Sequence, residues 1–234
     1  MSATLILETS TPEASLCLVR TDGTVEERVF RSDRNHNAAL FAPLQELLAD
    51  AGEVGLVLVG SGPGSYSGTR VGIAAAQGVA IAMGCPAVAV PSVLAVAPVP
   101  AAEEKPCLAV GDARRGTYWS ARIDGGSMHA PVLETMGAWS ETLTRAKAEG
   151  RLLFSFEDPS RWPLPGGLDV TMIFPSARLL WAAWNAADDA TRTAWRAQPP
   201  QPIYLKPPHI SKAKPSVAQR GAGKQSIWQP PRAG

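Results

Sequence analysis

The sequence predicts an α/β protein built from two similar lobes, and three observations carry that expectation. An order of three strands, helix, strand, helix occurs twice along the chain. A Pro-rich, acidic break, PVPAAEEKP at 98–106, falls between the two occurrences. The first occurrence is centred on a strand, LVLVG at 56–60, a loop, SGPGSYSG at 61–68, and an almost uncharged helix, TRVGIAAAQGVAIAM at 69–83. The expected organisation is a first lobe over 1–100, a smaller second lobe over 101–206 and a basic, Pro-rich tail over 207–234.

Taken in order, Thr4 to Glu8 reads as a buried strand, followed by the polar turn TSTPE. Ala14 to Arg20 and Thr24 to Arg31 are strands joined by the tight turn Thr21-Asp22-Gly23, which completes an antiparallel meander. Asn35 or Asn37 can cap a helix to Ala51, with Leu40, Leu44 and Leu47 on one stripe. Pro43 would cost an internal hydrogen bond unless it sits in the first turn, so a later start is an open alternative. The strand at Leu56 to Val59 comes next. Gly60, Gly62 and Gly64 let the backbone bend sharply there. Ser67 is the expected N-cap of a helix from Gly68 to Met83, stopped by Gly84 and Pro86. A strand at Ala87 to Val90 closes the first unit. In the second, strands are expected at Cys107 to Gly111, Thr117 to Ile123 and Ser127 to Glu134. A helix capped by Ser140 runs to Glu149, and strands follow at Leu152 to Phe154 and Val170 to Phe174. Pro175 begins a last helix through Ala187.

The helix at 68–83 is apolar nearly all round and so must be covered on every side. Gly72, Ala76 and Ala80 repeat every four residues on one side; Ala74, Gly78 and Ala82 do so on the next. Small residues at this spacing allow a second helix to approach closely. The run from Val71 to Val90 holds no charge, yet a helix ending near Met83 is only ~22 Å long, short of a ~30 Å hydrocarbon core. A buried helix of a soluble protein is the expectation.

The chain has 234 residues, of which 45% are hydrophobic, enough to supply a core. The opening MSATLILETS reaches a polar turn after only a few apolar residues, so a secretory signal is not expected there. Three widely spaced cysteines among apolar neighbours fit reduced thiols of a cytoplasmic protein better than disulfides. The net charge of +1 hides an asymmetry: eight bases and no acid follow Asp189, so the preceding body is acidic. Such a tail can contact RNA or a partner, or remain solvated. Trp228 within it could act as a docking anchor.

Catalytic machinery is sparse. His36, His129 and His209 are far apart, and no H-x-x-x-H pair exists to hold a metal. The loop matches neither Gly-x-Gly-x-x-Gly nor the Walker pattern. Gly62, Gly64, Ser65 and Ser67 could still contact a phosphate at the helix N-terminus. Glu8 and Asp112 end corresponding strands of the two halves and could hold Mg²⁺ through water in an ATP-using fold, or serve turn chemistry. Arg114 and Arg115 at a hairpin tip could bind phosphate, pair across an interface or be solvated.

The segments LILETSTPEASLCL, DRNHNAALFAPLQELL, GPGSYSGTRVGIAAAQGVA, DARRGTYW, PSARLL and PIYLK, in that order, resemble the TsaB family, also called YeaZ. The resemblance covers residues 4–206, and GPGSYSGTRVG is its most specific part. It implies the duplicated ASKHA (actin, sugar kinase, Hsp70) fold and a non-catalytic subunit. That subunit binds TsaD, the enzyme that transfers threonylcarbamoyl to the adenosine beside the anticodon of tRNAs reading A-starting codons. It also implies that the ATPase TsaE joins the complex, that the chain forms a homodimer when alone, and that ATP or ADP with Mg²⁺ could sit at the complex interface.

The two first-lobe helices would form the partner contact, through Leu40, Leu44, Leu47, Arg70, Gly72, Ile73, Ala76, Val79 and Ala80. On that expectation a bulky residue at Gly72 or Ala76 blocks association and spares the fold. The chain departs from the family pattern at Glu8 (commonly Asp), Thr117 (Glu) and Lys206 (Arg). An ATP-dependent small-molecule kinase of the same fold is the alternative function. A metallopeptidase is disfavoured by the missing histidine pair.

Overall fold

The computed structural model describes residues 2–31, 36–96 and 106–206. The expected tail, including His209 and Trp228, the candidate cap Asn35 and most of the 98–106 break lie outside these. The first sheet contains β1 (Ala3–Glu8), β2 (Glu13–Val19), β3 (Val25–Arg31), β4 (Val54–Gly60) and β5 (Ala87–Val90), in the order β3-β2-β1-β4-β5. β1 to β3 are antiparallel neighbours, whereas β4 lies parallel to β1 and β5 parallel to β4. Helix α1 (His36–Ala49) connects β3 to β4, and α2 (Tyr66–Met83) connects β4 to β5.

Strand alternation assigns each side chain to a face. Leu5, Leu7, Leu16, Leu18, Val57 and Val59 join Leu40, Leu44, Leu47, Ile73, Ala76 and Ala80 in the core under α1 and α2. Ile6, Cys17, Leu58, Val88 and Val90 point the other way. Burial pushes the Cys17 thiol up to about 12, so it remains an unreactive core group. Pro43 sits well inside α1. The helix does not begin later. Packing of the leucine stripe outweighs the hydrogen bond lost at the Ala39 carbonyl.

The second sheet repeats the scheme. β6 (Cys107–Asp112) pairs antiparallel with β7 (Thr117–Asp124), which pairs with β8 (Ser127–Met128) and β9 (Val132–Thr135). β10 (Leu152–Ser155) lies parallel to β6, and β11 (Thr171–Met172) parallel to β10. The strand expected at 127–134 is thus two short pieces. Helix α3 (Met136–Ala148) starts four residues before the expected cap Ser140, after Thr135. Between β10 and β11 a 3₁₀ turn, Pro159–Arg161, stands where the first unit has α2.

Helix α4 (Ala177–Ala186) begins at Ser176, whose Oγ accepts from the Leu179 N–H, rather than at Pro175. It follows the second sheet in sequence but covers the outer face of the first. Ala177, Leu180 and Trp184 pack with Ile6, Cys17 and Leu58, and the Ala177 N–H donates to Ser15 Oγ at 2.8 Å in the buried interior. Ala183, on another side of α4, joins the second sheet's core together with Val93, Leu94 and Val96. The lobes therefore share a core around α4, and the division near residue 100 separates the sheets but not their packing. Helix α5 (Asp189–Arg196), which the sequence reading passed over, is capped by Asp188 Oδ1 accepting from the Thr191 N–H at 2.7 Å.

Candidate functional site

The surface that could receive a partner is set by how α2 lies on its sheet. Gly72, Ile73, Ala76 and Ala80 face inward, and Ala76 is 0% exposed. A Cβ on Gly72 would overlap Thr9 Oγ1. Leu40, Leu44 and Leu47 are buried in the same core. Of the nine residues expected at a partner interface, these seven hold the chain together, Val79 is half-buried, and Arg70 is exposed. The outward side of α2 carries Arg70, Ala74, Gly78, Ile81 and Ala82. Ile81 is 82% exposed, and a Cβ on Gly78 would meet nothing within 4 Å. The two small-residue rows look alike in sequence. Only the sheet distinguishes them.

The bend before α2 is a polar knot. Ser65, not Ser67, caps the helix, its Oγ accepting from the Gly68 N–H at 3.3 Å. The Ser65 N–H donates to the Ser10 carbonyl at 2.6 Å, and the Gly62 N–H to Ser92 Oγ at 2.9 Å. Thr9 Oγ1 donates to the Gly68 carbonyl at 2.8 Å. The N–H groups of Gly62, Ser65 and Gly68 are therefore already committed within the chain. Gly62 has φ +83°, a conformation that suits glycine. Gly64 must also remain glycine, since a Cβ there would press on the Ser10 backbone.

Glu8 ends β1 inside this knot and is fully buried. Its Oε1 accepts from the Ser10 N–H at 2.7 Å, while Oε2 has no hydrogen-bond partner among the described residues. A Cβ at Gly60 would come within 2.6 Å of the Glu8 carboxyl carbon and of Ser92 Oγ. Burial raises the Glu8 pKa, against a smaller lowering effect of the Ser10 N–H and the neighbouring Ser10 and Ser92 hydroxyls. The carboxyl has no face open to a hydrated Mg²⁺ in this arrangement.

Because the folded state holds the Glu8 proton more tightly than the unfolded state does, its contribution is fully present at acid pH. Stability falls as pH rises from the ordinary glutamate range, about 4.3, through the raised folded value. Glu8→Gln, which mimics the protonated form, should be more stable than the parent at neutral pH and show a flatter dependence in urea titrations. A parent curve that instead rises over that window relative to Glu8→Gln would contradict the assignment.

Asp112, the counterpart of Glu8, ends β6 as a turn residue. Its Oδ1 accepts from the Arg114 N–H at 2.6 Å and its Oδ2 pairs with the Arg114 guanidinium at 3.1 Å. Arg114 also reaches Glu157 at 3.6 Å. Two family departures meet nearby: Lys206 Nζ donates to Thr117 Oγ1 and, at 2.9 Å, to the Arg114 carbonyl. Lys206 ends a strap that ties both lobes. Earlier in it, the Ile203 N–H donates to the Ser61 carbonyl at 2.8 Å, and Gln77 Nε2 donates to the Pro200 carbonyl at 3.3 Å. Leu205 packs on the second core. Among the described residues, no three His, Cys, Asp or Glu side chains gather as a metal site. No helix among them is long and apolar enough to cross a membrane.

Two half-sheets of the same strand order, β3-β2-β1-β4-β5 and its repeat, place the molecule in the duplicated ASKHA class. Comparison with known proteins narrows this. The family model described as "TsaD: tRNA N6-adenosine threonylcarbamoyltransferase" matches residues 25–154. An uncharacterized protein of Mycobacterium tuberculosis strain H37Rv is 31% identical over 220 residues, covering 89% of this chain and 93% of that protein. The Escherichia coli tRNA threonylcarbamoyladenosine biosynthesis protein TsaB is 30% identical over 141 residues, 56% of this chain and 61% of that protein. A Pseudomonas aeruginosa crystal structure, described as an uncharacterized protein with similarity to peptidase YEAZ, superposes with a TM-score of 0.66. It has 25% identity and covers 88% of this chain and all of that one. The chain belongs to the TsaB (YeaZ) family.

Proposed function

We propose that this chain serves tRNA threonylcarbamoyladenosine biosynthesis as a non-catalytic scaffold that binds and activates TsaD. The exposed outer row of α2 carries the reading: Ala74, Gly78 and Ala82 form a shallow track flanked by Ile81 and Arg70 on a helix anchored by its opposite side. A helix of a partner can approach closely along such a track and bury Ile81. The same track on a second copy would accept this one, which accounts for a homodimer when TsaD is absent. TsaE and tRNA would then join through the TsaD complex. The committed N–H groups of the loop, the enclosed Glu8 and the Arg114-bound Asp112 support an accessory role over phosphoryl transfer.

Sedimentation velocity with the cognate TsaD tests this reading. The expected result is a dimer of the chain alone that gives way to a one-to-one complex on addition of TsaD. A chain that stays dimeric beside free TsaD would contradict it.

A further inference from the structure

A ridge outside the helix track joins the two lobes and combines stacking rings with unneutralised cations. Tyr66 at the start of α2 and Tyr204 in the strap are 54% and 49% exposed, with ring centroids 6.0 Å apart. Arg70 lies over the Tyr66 ring at 5.1 Å and donates to its hydroxyl at 2.5 Å. Two residues beyond Tyr204, Lys206 holds the β6–β7 hairpin tip, where Arg115 is exposed. Asp112 and Glu157, the carboxylates at this tip, are both engaged by Arg114. Arg70, Arg115 and Lys206 have no carboxylate partner among the described residues. Arg114 and Arg115 both sit in the left-handed region, at φ 67° and 60°, which disfavours residues with a Cβ.

We propose that this ridge is a contact for a single-stranded RNA loop, with bases stacking on Tyr66 and Tyr204 and phosphates meeting Arg70, Arg115 and Lys206. Exposed rings take bases regardless of sequence, and cations without a carboxylate partner that meet phosphates release the nucleic acid's condensed counterions. The sequence that follows is also basic: residues 207–234 contain five bases and no acid. The choice of RNA rests on the tRNA-modification reading above.

The test is fluorescence anisotropy on the full chain without TsaD, so its outcome is independent of whether the chain activates TsaD. The probe is an unmodified anticodon stem-loop, compared with a blunt duplex of the same composition. The parent should prefer the stem-loop. The double variant Arg115→Gly/Tyr204→Ala should lose about tenfold in stem-loop affinity or more, and its salt dependence should flatten by about 0.7 in log–log slope for the cation removed. Arg115→Gly removes a charge and relaxes a left-handed position, so its melting temperature should not fall, and an unchanged melting temperature of the double variant shows that lost binding does not come from unfolding. Tyr204→Phe, which keeps the ring, should retain binding. Equal affinity of parent and double variant, or equal affinity for loop and duplex, would overturn the proposal. So would a double variant that keeps RNA and loses TsaD, which would make the ridge a protein contact.

Discussion

Gly78→Leu should fold as the parent does and lose its partner, whereas Ala76→Leu, two positions earlier, should destabilise the fold. A Cβ at Gly78 meets nothing within 4 Å among the described residues, and replacing a mid-helix glycine by leucine favours the helix by about 0.8 kcal/mol. The same side chain stands where another helix would have to approach. Overpacking of that contact at about 1–3 kcal/mol corresponds to roughly a five- to 150-fold weaker Kd. Ala76 is wholly enclosed by the sheet and α1, so Ala76→Leu should cost about 1–3 kcal/mol of folding stability or more. Urea denaturation and partner titration, run on both variants, check the pair. Equal behaviour of the two would mean that α2 does not divide into an inner and an outer side as described.

Trp139→Ala should remove about 3–5 kcal/mol of stability, the largest loss expected from a single truncation in the second lobe. Trp139 on α3 is fully buried among Leu108, Val110, Leu143 and Leu153. Its ring stacks on Tyr118 of β7 with centroids 4.5 Å apart and meets Trp162 edge-on at 5.8 Å. One side chain thus joins the helix, the sheet and the segment before β11. Its Nε1 has no hydrogen-bond partner among the described residues, so Trp139→Phe removes an unsatisfied donor while keeping a stacked ring and should lose far less than Trp139→Ala. The urea midpoints of the two variants decide. Similar losses would show that aromatic packing is not what holds α3.

The element order was readable because turns and periodicity are local. Thr21-Asp22-Gly23 set the β2–β3 hairpin, and Gly84, at φ 65° with its N–H bonded to the Ala80 and Ile81 carbonyls, ended α2 as its sequence position implies. What escaped was decided by distant contacts. Ser65 and Ser67 are both suitable caps; the choice falls to Ser65 because its N–H docks on Ser10, far back in the chain. The two small-residue rows of α2 differ by two positions and have the same composition, so which one meets the sheet was not legible. Assigning the interface to Gly72 and Ala76 followed from that. Pro175 announced a helix through Ala187 but not that it would cross to the first sheet, where Ser15 receives its N-terminus. Asp188 followed by D-A-T-R was a readable start signal for α5. Tyr66 and Tyr204, far apart in sequence, gave no sign of meeting.

The most direct test is modification of tRNA in a reconstituted system of cognate TsaD, TsaE, unmodified tRNA and a threonylcarbamoyl-adenylate source, with the parent chain, Gly78→Leu or neither. The scaffold account predicts modified adenosine with the parent, little with Gly78→Leu, and none from the chain without TsaD. Modification that proceeds equally well in all three TsaD-containing mixtures would contradict it.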